Sequence, residues 1–146
     1  MLDQQNADRK AWLSVLATAP EGRAAALLSE SPKFTWLRAP EIGSVMTRGR
    51  AGGTGAPFNL GEVTVTRCSL QLADGTVGHG YVQGRRKMDA EVAAIVDALM
   101  QTDTAAQVQA DVLDVLAAER DARRSACAAK AAATKVEFFT MVRGED

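Results

Sequence analysis

The sequence predicts an α+β fold in which a small antiparallel sheet, built as a meander of hairpins, packs against helices. Two observations support this prediction. Apolar residues recur at helical spacing near both ends of the chain, and in the middle they alternate with polar residues between glycine-containing turn signals. The 146 residues fit one domain over residues 1–146. We expect helices at about 7–30, antiparallel strands at about 34–83, helices at about 87–135 and an apolar tail at 136–143.

Composition is that of a globular protein and excludes several functional classes. The chain is 47% hydrophobic and 24% charged, with a formal net charge of −1, so no overall field attracts it to nucleic acids or membranes. No apolar run approaches the roughly 20 residues of a membrane span. The first five residues lack the basic region and apolar core of a signal peptide. Cys68 and Cys127 are far apart in sequence, which indicates reduced thiols and a cytoplasmic protein.

Two helices are expected before the sheet. Asn6 is a candidate N-cap for the first helix, whose apolar stripe comprises Trp12, Leu13, Val15 and Leu16. Thr18 and Glu21 have the spacing of a capping box for a second, short helix, with Pro20 in its first turn. The second helix should bury Ala25, Leu27 and Leu28 and end at Ser31-Pro32.

Strand signals follow. Phe34 and Trp36 alternate with Thr35 and Leu37, and Pro40 and Gly43 mark a connection to a second short strand at 45–47. A further segment at 58–61 leaves the glycine-rich loop, and 63–72 is the strongest strand, with Cys68, Leu70 and Leu72 on one face.

The dipeptide Asp74-Gly75 is a signal for a two-residue type I′ hairpin. Such a turn would place Leu72 opposite Val77, Leu70 opposite His79 and Cys68 opposite Tyr81. Gly78 and Gly80 would then lie on the other face, where they leave either a shallow surface that something approaches closely or a sharply twisted strand.

Two helices are expected after the sheet. Residues 88–100 form the first, with apolar side chains at helical spacing at Met88, Val92, Ile95, Val96 and Leu99. A long alanine-rich helix should run from about Ala105 to Thr134. Its second half has mostly alanine as its apolar residue, so this half either packs on a neighbour or projects from the core.

The most informative local feature is the glycine-rich loop from Arg48 to Gly55. Two arginines, Arg48 and Arg50, stand beside four glycines, of which Gly52, Gly53 and Gly55 follow the second arginine. Glycine permits left-handed backbone angles, and the arginine fork suits phosphate or carboxylate. The loop is therefore a candidate for binding an anion or a partner chain, and Arg67 is a candidate neighbour. The same residues also suit a mobile hairpin tip.

A second basic cluster, Arg85-Arg86-Lys87, stands at the start of the helix predicted at 88–100. Cations at a helix N-terminus typically cost about 0.3–1 kcal/mol each when exposed. An anionic ligand or an acidic partner would relieve this conflict, whereas a flexible, solvated cluster would suffer little from it. Arg85 is included among the candidate binding residues.

The C-terminal segment is the third candidate, because a chain terminus is usually polar and loose. Four large apolar residues and one arginine are the candidate contact residues of this segment: Phe138, Phe139, Met141, Val142 and Arg143. Burying four such side chains gains roughly 6–12 kcal/mol. The tail either docks as a strand on its own sheet or anchors the chain to a partner.

The sequence offers little for catalysis by this chain alone. It has one histidine, His79, and no Cys-x-x-Cys pair, nucleophile elbow or Walker loop. A lone histidine in a predicted strand, facing Leu70, is more often packed or hydrogen-bonded than basic, and Cys68 is more often a core residue than a nucleophile. We therefore assign no catalytic or metal-binding residue and no cofactor bound by this chain.

These residues also carry a resemblance. The chain resembles the G-subunit (PhnG) family of the bacterial phosphonate carbon–phosphorus lyase system from about residue 48 to its end. The matching stretches are Arg50 to Gly55, Phe58 to Arg67, Asp74-Gly75, Tyr81 to Arg85, Ala90-Glu91, Asp97 to Leu99 and Phe138 to Gly144. Trp12 to Ala17 is similar as well. The glycine loop and the C-terminal motif together are the most specific of these.

The resemblance implies an accessory subunit in a core complex with H, I and J subunits. That complex uses ATP to form ribose 1-methylphosphonate 5-triphosphate, with release of adenine, before the carbon–phosphorus bond is cleaved. The favoured hypothesis is that this chain docks chiefly on the I subunit. The alternative is a nucleotide- and phosphonate-binding transferase that uses Arg48, Arg50, Arg67 and Arg85, with Glu91 or Asp74 as its base. Nucleic-acid binding is disfavoured by the negative net charge and by the lack of aromatic residues among the basic clusters.

Overall fold

A three-stranded antiparallel meander in the order β1-β2-β3 forms the centre of the fold, as expected for an α+β protein. The computed structural model describes residues 2–136, with side chains from residue 6 onward. The strands are β1 (Phe34–Arg50), β2 (Pro57–Leu72) and β3 (Val77–Gln83). The helices are α1 (Leu2–Ala17), α2 (Arg23–Leu27), α3 (Lys87–Leu99), α4 (Ala105–Val108) and α5 (Asp114–Ala133), with one π-helical turn at Gln109–Leu113.

Helix α3 packs on one face of the sheet and is the centre of the core. Its side chains from Ala90 to Ala98, with the exception of Glu91, are buried. Opposite it lie Cys68 and Leu70 of β2 and Val82 of β3. Gly78 and Gly80 of β3 lie directly beneath the α3 backbone, since a Cβ on Gly80 would collide with the carbonyl oxygen of Ala90. The strand glycines thus allow a close approach, and the approaching element is the chain's own helix.

The hairpin between β2 and β3 differs from the two-residue turn predicted from Asp74-Gly75. Leu70 lies opposite Gly78 and Cys68 opposite Gly80, so the register is one residue away from the prediction. The Leu72 N–H donates to the Thr76 carbonyl oxygen at 2.9 Å, which encloses a three-residue loop with Gly75 at φ 91°. One extra loop residue turns His79 onto the outer face and both glycines onto the inner face.

The first helix begins earlier and the second is capped differently than predicted. Asn6 lies inside α1 and caps nothing. The Thr18 hydroxyl donates back to the Ser14 carbonyl oxygen at 2.9 Å instead of forming a capping box. Gly22 is the N-cap of α2, and its N–H donates to Asp89 Oδ1 at 2.9 Å. This helix buries Ala24, while Ala25 is exposed.

Strand β1 is one continuous strand and not two short ones. Pro40 lies within it, at an irregularity in its pairing with β2, and Gly43 pairs regularly with Val65. A proline is tolerated there because β1 is an edge strand, so its missing N–H need not complete a ladder on the outer side.

A buried carboxylate fixes α1 against α3 and β3. Asp97 is wholly buried and accepts hydrogen bonds from Arg9 (2.6 and 3.1 Å), the Trp12 indole N–H (2.8 Å) and the His79 backbone N–H (2.8 Å). Four donors satisfy the charge of this carboxylate, which explains how it is accommodated in the core.

The C-terminal helices match the predicted long alanine-rich helix, interrupted by the π-turn. Val112, Leu113 and Leu116 are buried. Residues 121–136 are exposed throughout, so the second half projects from the body. The candidate tail residues Phe138, Phe139, Met141, Val142 and Arg143 lie outside the described residues. Within residues 2–136, no helix combines the length and apolar character needed to cross a membrane.

Candidate functional site

The β1–β2 hairpin extends well beyond the third strand and forms the candidate site, here called the arm (residues 44–64). The last pair between β2 and β3 joins Val65 to Gln83. The ladder from Ser44 opposite Thr64 to Arg50 opposite Pro57 therefore has two strands, apart from one hydrogen bond at its base that the Gly84 N–H donates to the Thr64 carbonyl oxygen at 2.8 Å. At about 3.3 Å per residue the paired part is about 20 Å long. A two-stranded hairpin is marginally stable in water by itself, so an arm of this kind gains most when another surface covers it.

Both faces of the arm expose large apolar side chains. Met46 is 51% exposed on one face, and Phe58 (46%) and Leu60 (66%) are exposed near Gly49 on the other. The Phe58 ring covers Gly49, with ring atoms 3.4 and 3.5 Å from the position of a Cβ on that glycine. These residues give the arm an exposed apolar surface that the rest of the described chain does not cover.

The glycine-rich loop forms the tip of the arm. Gly52 and Gly53 have φ angles of 59° and 82°, which an L side chain rarely adopts. The Gly55 N–H donates to the Ala51 carbonyl oxygen at 2.8 Å, and Arg50 Nη1 donates to the Gly55 carbonyl oxygen at 3.2 Å. The glycines and Arg50 therefore serve the turn itself.

Arg48 is the tip cation left to interact outside the chain. It is exposed, and its guanidinium has no hydrogen bond or ion pair with any residue from 2 to 136.

The other candidate arginines lie elsewhere. Arg67 donates to Glu41 Oε1 at 3.0 Å, and Arg38 pairs with the same carboxylate at 3.1 Å. Asn59, the strand partner of Arg48, is eight residues from Arg67 along β2, which corresponds to about 26 Å. Arg67 is thus paired within the chain, far from the arm tip.

The basic cluster before α3 is partly satisfied within the chain, contrary to the expected conflict. Arg86 Nη1 lies 3.3 Å from Asp89 Oδ2 and donates to the Ala19 carbonyl oxygen at 2.8 Å, while its Nε donates to the Gln83 carbonyl oxygen at 3.0 Å. Arg85 remains exposed at the base of the arm.

The residues suggested as bases for the alternative enzyme are not placed beside the arm tip. Asp74 accepts a hydrogen bond from the Thr76 N–H at 2.9 Å in the β2–β3 loop, and this bond lowers the pKa of the Asp74 carboxyl. That loop is at the opposite end of β2 from the arm. Glu91 lies on α3. The structure therefore does not gather Arg48, Arg50, Arg67, Arg85 and a base into one pocket.

His79 and Cys68 occupy structural positions. Instead of facing Leu70, His79 lies on the outer face, where its Nδ1 is 2.8 Å from Ser69 Oγ. The buried Cys68 thiol donates to the Ala90 carbonyl oxygen at 3.1 Å, and burial raises its pKa to about 11. A thiol protonated at neutral pH is a poor nucleophile. No group of three or more His, Cys, Asp or Glu side chains in the described part of the chain is arranged to hold a metal ion.

The sequence did not single out Met46, Phe58 and Leu60 as a binding surface. Each stood in a short strand segment, where an apolar residue is normally a core residue. The signal that was available is the length of the two strand regions on either side of the glycine loop, compared with the short β3 that follows.

Two comparisons with known proteins agree with each other. The family model described as "Phosphonate metabolism protein PhnG" matches residues 7–144. A relative from Rhizobium meliloti (strain 1021), described as "Alpha-D-ribose 1-methylphosphonate 5-triphosphate synthase subunit PhnG", is 44% identical over 144 residues. That alignment covers 96% of this chain and 92% of the relative.

Proposed function

This chain belongs to the PhnG family of phosphonate metabolism proteins, and we propose from this premise that it is an accessory subunit of a ribose 1-methylphosphonate 5-triphosphate synthase. The observation that carries the proposal is the 44% identity, over nearly the whole of both chains, to a subunit of that name. The subunit works within the cytoplasmic carbon–phosphorus lyase core complex, alongside H, I and J subunits. It supports the ATP-dependent reaction that releases adenine and contributes no catalytic base of its own.

The arm is the element through which this subunit joins its partners, chiefly the I subunit. Fully burying an apolar side chain contributes about 1.5–3 kcal/mol. Met46 and Phe58 are about half exposed and Leu60 is 66% exposed, so covering them contributes about 2–5 kcal/mol together. Association costs on the order of 4–15 kcal/mol. Burial of these apolar residues alone therefore does not offset the cost of association. Strand pairing along the free edges of the arm and other contacts supply the remaining binding free energy.

Arg48 at the arm tip gives the contact a polar component. An exposed guanidinium without a partner in residues 2–136 suits a carboxylate on the partner or a phosphate held at the partner's site. Either role makes this chain a contributor to a site completed by another subunit.

The test is co-expression with the I subunit, followed by size-exclusion chromatography and titration calorimetry. The triple variant Met46→Ser, Phe58→Ser, Leu60→Ser should weaken association by about 30- to 4000-fold, because about 2–5 kcal/mol of burial is lost. The matched control, Leu37→Ser, Tyr81→Ser, Met88→Ser, removes three exposed apolar side chains outside the arm and should change affinity by less than about threefold.

Circular dichroism should give the same helical content for wild type and both variants, because the substituted side chains are exposed. Wild-type affinity in the arm variant would show that the arm is not the docking element. A wild-type chain that stays monomeric with the I subunit, and with H and J added, would refute the proposed function itself.

A further inference from the structure

The projecting half of α5 carries a basic face that the rest of the chain leaves uncovered. The last ion pair that ties α5 to the body joins Arg23 Nη2 to Glu119 Oε1 at 2.7 Å. Residues 121–133 continue the helix in full exposure, which corresponds to about 20 Å at 1.5 Å per residue.

The basic face continues the side of the helix that packs into the core. Leu113 and Leu116 are each 2% exposed. Continuing at spacings of three and four residues leads to Arg120, then Arg124 and then Cys127. With 3.6 residues per turn, Arg120, Arg123, Arg124 and Lys130 fall within an arc of about 120°. The side of α5 that packs on apolar groups in its first half therefore carries cationic side chains in its second half, where the helix projects beyond the rest of the protein.

The charge of this segment contrasts with that of the whole chain. Residues 120–135 hold five of the 17 Lys and Arg residues and one of the 18 Asp and Glu residues, in a chain of net charge −1. Acidic neighbours engage part of the face: Asp121 lies 3.4 Å from Arg120, and Glu119 interacts electrostatically with Arg123. The side chains of Arg124 and Lys130 have no hydrogen bond or ion pair within residues 2–136.

The side chains of the basic face favour one class of binding partner over the others. The apolar residues around the face on this helix are mostly alanines, which offer little area for an apolar partner. The same face of a second copy of the chain would bring cations against cations. Nucleic acid would find phosphate contacts but no aromatic side chain for base stacking on this helix. An acidic protein surface would pair its carboxylates with these cations, and it requires neither a large apolar area nor aromatic side chains.

We propose that the overhanging basic face of α5 is a second docking site, which seats an acidic surface of another subunit of the complex. This inference rests on the proposed function, and it adds a site remote from the arm tip in sequence. Arg120 and Arg124 are like charges at i,i+4, which destabilise a helix that has few tertiary contacts. Carboxylates opposite them remove this repulsion and steer the encounter.

The experiment measures the affinity of the chain for the purified H, I and J subunits at 0.1 M and 1 M NaCl. Arg124→Glu with Lys130→Glu should weaken binding about 10- to 100-fold at 0.1 M NaCl. The loss should shrink to under about threefold at 1 M, where the Debye length falls from about 10 Å to about 3 Å. The matched control, Lys10→Glu with Lys33→Glu, makes the same change in net charge at exposed residues outside α5 and should stay within about twofold of wild type. Equal losses in the two variants would overturn the proposal.

A second measurement separates failure of this inference from failure of the proposed function. Poly-L-glutamate and polyuridylate RNA serve as probes for the chain alone, with binding followed by fluorescence anisotropy of a dye on Cys127, which is exposed on the face. Wild type should bind poly-L-glutamate at least about tenfold more tightly than the Arg124→Glu, Lys130→Glu variant does. Tighter binding of the RNA than of poly-L-glutamate, or no difference between wild type and variant, would contradict an acidic protein partner.

Discussion

Replacing Gly80 by alanine tests the packing of α3 on β3. A Cβ on this residue would collide with the Ala90 carbonyl oxygen and would lie 2.8 Å from both the Ala90 carbonyl carbon and Cys68 Sγ. Ordinary contact begins at 3.4 Å, and the obstructing atoms are mostly helix backbone, which cannot swing away. Helix α3 would have to shift off the sheet, and it carries the largest share of the core.

The expected loss is large for a one-carbon change. Overpacking a well-packed core costs about 1–3 kcal/mol and occasionally more. Because backbone obstructs the new methyl group, we expect a loss of about 3 kcal/mol or more in the free energy of unfolding for Gly80→Ala. At about 3 °C per kcal/mol, the melting temperature should fall by about 9 °C or more.

Urea unfolding of the purified chain, followed by circular dichroism at 222 nm, measures this loss. Gly43→Ala is the matched control, because Gly43 also lies in a strand, has no positive φ and would place its Cβ in open space. The control should be unchanged or gain about 0.5 kcal/mol. If Gly80→Ala and Gly43→Ala unfolded at the same urea concentration, the close approach of α3 to β3 would be wrong.

Two further outcomes follow from the core. Asp97→Ala should lower the free energy of unfolding by about 3–5 kcal/mol, because it leaves the Arg9 guanidinium and the Trp12 indole N–H without their hydrogen-bond acceptor. A loss below 1 kcal/mol in the same urea assay would show that the carboxylate does not hold α1 against α3 and β3. At pH 8, iodoacetamide should alkylate Cys127 rapidly and spare Cys68 in the folded chain, because Cys68 is buried with its pKa raised to about 11. Mass spectrometry of the tryptic peptides would detect the opposite order, which would contradict the burial of Cys68.

The helices and the central strand were predictable because their apolar periodicities are long and regular. The pattern of α3 and the alternation in β2 are properties of local sequence, and the structure confirms them. The register between β2 and β3 is set by tertiary packing. Asp74-Gly75 suits both a two-residue and a three-residue loop, and the requirement for glycine beneath α3 selects the second.

The candidate site was predictable at its tip and missed along its length. The glycines and arginines of the tip are a local signal. The arm exists because β1 and β2 extend beyond the end of β3. The sequence did not predict this, because Pro40 inside β1 indicated a break in a strand that is continuous. The cluster before α3 shows a related limit. Three consecutive cations looked unsatisfied, yet Arg86 is held by Asp89 at i+3 and by the distant Ala19 carbonyl oxygen.

The central claim is that the arm is completed by another subunit, and hydrogen–deuterium exchange tests it most directly. In the free chain, amides at 44–64 should exchange much faster than those at 65–71, where β3 supplies a third strand. In the complex with the I subunit, the arm amides should slow by at least about tenfold, while those at 65–71 change little. Equal exchange of the arm in the free and bound chains would contradict the account.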